Sequence, residues 1–272
     1  MKAGVDFGTS LVKAAWMNDG RFRFSSTADA KLEEIARQLS DDGVRKINLA
    51  GIGYSDAHTK YFKDFEVRTA EGDPIENEVR LQAEGTRRLL EDSGHREDSF
   101  LVVSIGTGIS YTLVTEEGAT KFPIGNSLGG GFIYGLGQVL GAKDYNELAT
   151  RSTEGTPLDL CIKDLLPNKA GTFEGELVVA NFGKGTSASE RSSAYTSAIS
   201  TVAVAIIRDI MLLGMIPNFQ PPNDVVYVGS TVARTPVLKN LLQVYSAAIG
   251  KNPHFPEHGE FALAVGAYHM QE

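Results

Sequence analysis

The sequence predicts an α/β fold of two lobes, and three observations carry that reading. A strand-turn-strand-turn-strand meander opens the chain, a second one starts near residue 99, and helices and strands alternate after each. KAGVD, the turn Phe7-Gly8-Thr9-Ser10, LVKAAW, the turn Asn18-Asp19-Gly20 and RFRFSS, with its period-two alternation, give three antiparallel strands. A helix follows near 28–41, with Leu32, Ile35, Ala36 and Leu39 at i, i+3, i+4 and i+7 and Asp41-Asp42-Gly43 as its stop. KINLAGIG reads as a buried strand. A second helix near 75–93 turns Ile75, Val79, Ala83 and Leu89 or Leu90 inward and its charges outward.

Sliding the chain by 98 residues lays FGTSLVKAAW on IGTGISYTLV and Gly20 on Gly118, so the meander is duplicated. Lobes are therefore drawn at 1–98 and 99–272. The second continues through the glycine-rich loop GNSLGGGFIYGLG, a helical stretch near 133–150 and a polar region to about 190. A long helix over 193–214 carries Ile199, Val202, Ala203, Ile206, Ile207 and Ile210 around much of its circumference, which predicts burial in the core or against another subunit. PNFQPP then links to strand DVVYVGS, helix PVLKNLLQVYSAAI and a closing helix FALAVGAYHM.

Composition narrows the function. A formal charge of −8 argues against a nucleic-acid or anionic-membrane surface, so any anionic ligand has to be held locally. The single cysteine, Cys161, excludes internal disulfides and sites of several thiolates, and suits a reducing compartment. The opening MKAGVDFGTS lacks an apolar signal core, and VAVAIIRDIMLLGMI is broken by Arg208 and Asp209, so a cytoplasmic protein is expected.

The chemistry gathers at turns. DFGTS exposes consecutive backbone N–H groups beside the Thr9 and Ser10 hydroxyls, an anion nest to which IGTG at 105–108 is the counterpart on the other lobe. Facing across a cleft, the two would hold a polyphosphate, with Lys13 supplying positive charge and Asp6 placed for Mg²⁺. Either turn alone is more often an ordinary hairpin, and it is the two together with the glycine triplet that favour the nest. Neither the P-loop spacing nor G-x-G-x-x-G is present, and the triplet Gly129-Gly130-Gly131 is read as letting backbone approach a ligand at the start of the following helix. For a general base, Glu76, Glu78 and Glu84 are hardly distinguishable, although Gly85, seven residues after Glu78, marks a close approach to that helix. His58, His95, His254, His258 and His269 show no metal-ligand spacing.

DFGTSLVK, GTGIS at 106–110, GNSLGGGFIYGLG, Ala180 to Gly183 as A-N-F-G, YVGS and EHGEFALAVGA occur in that order. Together they resemble the motifs of the type II pantothenate kinases, over nearly the whole chain. The resemblance implies the two-lobed actin-like ATPase (ribonuclease H-like) fold with duplicated βββαβα units. It also implies ATP- and Mg²⁺-dependent phosphorylation of pantothenate to 4'-phosphopantothenate, the first step of coenzyme A biosynthesis, by a cytoplasmic homodimer. The family's glutamate, seven residues before a helix glycine, carries over to Glu78. Its ATP contacts carry over to Gly8, Thr9, Ser10, Lys13, Thr107, Gly129 to Gly131 with Phe132, Tyr145 and Ser230, with Asp6 toward Mg²⁺.

Two positions depart from the family. Its G-G-T turn is here Gly8-Thr9-Ser10, and the arginine it places seven residues before the triplet is here Phe122, leaving Lys121 as the substrate-side cation. Phe122 keeps two other readings open: a related sugar kinase, or a nucleotide-binding regulator without turnover.

Overall fold

A computed structural model describes residues 1–28 and 31–270. The first meander forms as β1 Lys2–Phe7, β2 Val12–Asn18 and β3 Arg21–Thr27. Helix α1, Leu32–Asp41, buries Leu32, Ile35 and Leu39; it begins after the expected start near 28, a residue that is not helical, while residues 29 and 30 lie outside those described. β4 Lys46–Ala50 pairs parallel to β1, and β5 Glu66–Thr69, which the sequence reading missed, pairs parallel to β4. The first sheet therefore runs β3-β2-β1-β4-β5.

Helix α2, Pro74–Asp92, starts where Asp73 accepts the N–H groups of Ile75 and Glu76 and where Pro74 needs no partner. Val79, Ala83, Leu89 and Leu90 are buried as expected. Ile75 is not: it sits in the first turn, beyond the edge of the packing, and is 57% exposed.

The second sheet repeats the first. β6 Phe100–Ile105, β7 Ile109–Thr115 and β8 Gly118–Asn126 are antiparallel neighbours, and β11 Asp224–Val228 and β12 Asn252–His254 add in parallel, giving β12-β11-β6-β7-β8. Between β8 and β11 the expected single helix near 133–150 is two, α3 Gly130–Val139 and α4 Tyr145–Arg151. Gly141, at φ +84°, takes the left-handed turn that ends the first, and the Asp144 carboxylate caps the second. The polar region is partly ordered: β9 Leu160–Cys161 pairs with β10 Val178–Ala180 around the short helices α5 Ile162–Leu165 and α6 Phe173–Glu176.

Of the two burials open to the long helix, the core of its own chain is where it lies. α7, Arg191–Leu213, buries Tyr195, Ile199, Val202, Ile206 and Ile210 against β6, β7 and β11 and the short α8 Ser230–Arg234 and α9 Pro236–Ala248. It is apolar enough to cross a membrane by length and composition, but it is the core helix of this lobe.

The closing helix α10, Ala262–His269, packs on α2 and on β1. α2 and α10 lie between the sheets, joining Ala15 of the first to Phe100, Val102 and Val226 of the second in one apolar cluster. Glycine permits this closeness. A methyl group at Gly85 would stand 1.7 Å from the Ala262 carbonyl oxygen, and one at Gly266 would stand 1.8 Å from that of Leu81. We predict that Gly85→Ala, which has to push two helix backbones apart, costs about 3 kcal/mol or more. Urea unfolding should show a lower midpoint at unchanged slope.

Candidate active site

β1 and β6 occupy the same place in their sheets, and the turns that follow them meet. The Ser10 and Thr107 hydroxyls lie 2.9 Å apart across the cleft. Each turn is tight: the Gly8 N–H donates to the Leu11 carbonyl at 3.1 Å, and the Gly106 N–H donates to that of Gly108 at 3.0 Å. Two adjacent cavities adjoin this contact, sharing Ser10, Leu11, Gly106, Thr107 and Ser230 in their walls.

The inner cavity, of about 200 Å³, brings Asp6, Lys13 and Glu78 together with Gly8, Thr9, Ser10 and Thr107. Asp6 is 4% exposed at the end of β1, and Lys13 reaches its Oδ2 at 3.0 Å. Burial pushes the Asp6 carboxyl above its ordinary range, and the Lys13 ammonium offsets only part of that. Glu78, half-buried on α2, is also pushed up, first by burial and then by the neighbouring Asp6 charge; Lys121, the Ile52 N–H and Lys13 pull the other way. The three glutamates that sequence left open are thus separated by position. Glu76 is exposed in the first turn and Glu84 pairs with Arg88 at 2.9 Å, so only Glu78 of the three faces the cleft.

The outer cavity, of about 270 Å³, is lined by Gly130, Gly131, Tyr134, Tyr145, Ser230, Thr231 and Arg234 as well as the shared turn residues. The Arg234 guanidinium lies over the Tyr145 ring at 4.9 Å, and the Tyr145 hydroxyl is 2.7 Å from that of Thr235. Stacking faces, hydroxyls and one guanidinium suit a planar, polar group such as a nucleoside.

The glycine triplet works differently from the sequence expectation. The helix begins inside it, at Gly130, and the N–H groups of Gly130 and Gly131 donate to the carbonyls of Gly106 and Thr107, both at 2.8 Å. Those donors are used within the protein. A methyl group on Gly129 or Gly130 would come within 2.8 Å of that turn, so the bare backbone serves to seat helix against turn, while Gly130 and Gly131 still form cavity wall.

Three expected residues line neither cavity: Gly129, seated against Thr107 and Gly108, Phe132 and Lys121. Phe132 lines neither cavity and packs on the second-lobe core. Lys121 is exposed on β8, outside the lining of both cavities, although its charge is felt at Glu78. Its neighbour Phe122 packs on the same core, 5.3 Å from the Phe219 ring, at an irregularity in the pairing of β7 with β8. Gln82, on the same helix face as Glu78, donates its amide to Ser104 at 3.0 Å in the inner cavity. Sequence reading passed over Thr231, whose hydroxyl donates to the Gly106 carbonyl at 2.9 Å. It also missed Asp209. That carboxylate accepts the Tyr111 hydroxyl at 2.8 Å and the Asn126 amide at 2.7 Å, and Asn126 in turn accepts the Leu128 N–H, which fixes the approach to the triplet. An aspartate inside a greasy run was the available signal.

The model of the family described as Fumble matches residues 87–270. The type II pantothenate kinase of Staphylococcus saprophyticus is 27% identical over 281 residues, covering 99% of this chain and all of that protein. That of Staphylococcus epidermidis is 25% identical over 285 residues, with the same coverage. Among solved structures, component A of the Acidaminococcus fermentans (R)-2-hydroxyglutaryl-CoA dehydratase superposes with a TM-score of 0.63 at 17% identity, covering 98% of this chain and 95% of that one. A ROK family glucokinase from Streptomyces griseus, in complex with glucose and AMPPNP, gives 0.51 at 15% identity and 98% coverage of each chain. These likenesses place the fold among the two-lobed actin-like ATPases.

Because Asp6 and Glu78 hold protons to higher pH when folded than when unfolded, the native state binds the excess protons in that window, and stability falls as pH rises through it. Removing the Glu78 charge should relieve part of this. Glu78→Gln is expected to melt at or above the temperature of the unaltered protein at neutral pH, with a flatter dependence on pH below neutrality. Differential scanning calorimetry across that range measures both; a clear loss of stability would contradict the cost assigned to this buried carboxylate.

Proposed function

The chain belongs to the Fumble family, and from that premise we propose that it transfers the γ-phosphoryl group of ATP to the hydroxyl of pantothenate, giving 4'-phosphopantothenate. The observation that carries this reading is the convergence of Glu78, Asp6 and Lys13 in a cavity closed on one side by the Ser10 and Thr107 turns. Glu78 takes the proton of the acceptor hydroxyl as that oxygen attacks the γ-phosphorus, and ADP leaves with the electrons of the broken P–O bond. The raised affinity of Glu78 for a proton suits a group that must accept one. Lys13 and the turn hydroxyls offset the charge that grows on the phosphoryl oxygens, and the outer cavity with Tyr145, Ser230 and Arg234 takes the nucleoside. The oxygen donors Asp6, Ser10 and Ser104 around the inner cavity fit Mg²⁺, with Asp6 as the residue that would hold it. Bound there, Mg²⁺ would supply neutralisation of the phosphate chain.

Lys121 lies outside the lining of both cavities, and its role toward the acceptor is supported by the charge it exerts at Glu78. Phe122, turned into the core, leaves no bidentate fork in the family arginine's place. In a coupled assay with MgATP and pantothenate we expect turnover, and Glu78→Gln should lower kcat by about 10²–10⁴-fold while nucleotide binding persists. Lys121→Ala should raise KM for the acceptor more than it lowers kcat. Nucleotide binding without phosphorylation of pantothenate or of sugars would favour the regulator instead.

The protein is further proposed to act in the cytoplasm as a homodimer. Support comes from the apolar side chains left exposed at and just beyond the end of α7, Met211, Leu212, Met215 and Ile216. Light scattering should return twice the chain mass, and Met215→Asp should shift it toward the monomer; a monomeric native protein would remove the dimer.

A further inference from the structure

Three side chains distant in sequence converge at the end of the second sheet opposite the cleft. Asp224 begins β11 and His254 ends β12, two residues along the parallel register, while Glu97 comes from the connection between α2 and β6. The start of β11 lies beside the start of β6, whereas the Gly106 turn follows the end of β6; a strand of that length separates the cluster from the cleft by roughly 17 Å.

The His254 Nε2 is 2.8 Å from the Asp224 Oδ1, and one Glu97 carboxylate oxygen joins them with all three atoms within 4.8 Å of one another. All three residues are partly buried, so the two negative charges face each other with limited solvent between them. The two nearby cations make their hydrogen bonds to backbone carbonyls, although Lys251 also feels the Asp224 charge. Lys251 donates to the Pro221 and Pro222 carbonyls at 3.0 and 2.9 Å, and Arg87 donates to the Glu97 and Thr115 carbonyls at 3.1 and 3.0 Å. The Asn252 amide donates to the Asp224 Oδ1 at 3.3 Å, the kind of outer hydrogen bond that orients a ligating carboxylate. His95, two residues before Glu97, packs its ring edge-on against that of His254 with centroids 4.9 Å apart, which helps hold the imidazole in place.

From this placement we infer that Glu97, Asp224 and His254 form a binding site for a divalent transition metal of the zinc class, separate from the Mg²⁺ of the phosphoryl-transfer cleft. An imidazole with two carboxylates is a mixed nitrogen and oxygen set, which suits Zn²⁺ and its first-row neighbours and not Mg²⁺, whose ligands are all oxygen. Binding at Nε2 takes the place of the proton in the Nε2–H···Oδ1 contact, which moves to Nδ1 of the same neutral ring, and the ion cancels the repulsion between the carboxylates. The bound ion ties the connection that follows α2 to β11 and β12.

Isothermal titration of the full chain with Zn²⁺, in the presence of excess Mg²⁺ and no nucleotide, tests the site. One Zn²⁺ per chain is expected, with a higher melting temperature on binding and affinity at least tenfold weaker in both Glu97→Gln and His254→Gln. Glutamine at 254 keeps a donor for Asp224, and Glu97 lies in a surface connection; should the first variant not fold, the second decides alone. No stoichiometric binding under these conditions, or binding undiminished in Glu97→Gln, overturns the inference.

Discussion

The contact on which everything else rests is the 2.9 Å approach of the Ser10 and Thr107 hydroxyls. It joins turns that belong to different sheets, so it exists only if the sheets are held at one separation and one angle. That spacing is set by α2 and α10, which fill the space between the sheets and are themselves pressed together at Gly85 and Gly266. Backbone against backbone leaves little play. The position of Glu78 on α2 follows from the same packing, because the helix that carries the carboxylate is also the spacer that sets the cleft.

Holding two carboxylates in that cleft is costly. Asp6 is almost wholly buried with a single cation beside it, and Glu78 is half-buried next to Asp6, so both resist ionisation. A chain selected for stability alone would place apolar groups there. The same resistance gives Glu78 the appetite for a proton that a general base requires, so the local instability and the proposed chemistry have one physical origin.

The glycine-rich loop shows how one motif can serve two close approaches. Six glycines in the thirteen residues 125–137 mark a place where backbone comes close to something. From sequence the natural partner was a ligand, since helix starts attract anions. In the folded chain the partner of Gly130 and Gly131 is the second turn itself, whose two carbonyls consume their N–H groups. The loop forms cavity wall only after it has locked that turn in place, with Asp209 and Asn126 steadying its approach.

Periodicity and turn chemistry determined the strands of both meanders, the long helices and their duplication, because each depends on residues near in the chain. The same local logic found the turns of Gly8 and Gly106 and narrowed the base to three glutamates. It missed β5, whose pairing is supplied wholly by β4, and it set Ile75 inward because helical phase says nothing of where a neighbouring element ends. Choosing Glu78 from residue properties, placing Phe122 and Phe132 in the core, and uniting Glu97 with Asp224 and His254 all required the tertiary structure. Each depends on which surfaces meet across more than a hundred residues or on the cost of burial at one point, and neither quantity is carried by a stretch of sequence on its own.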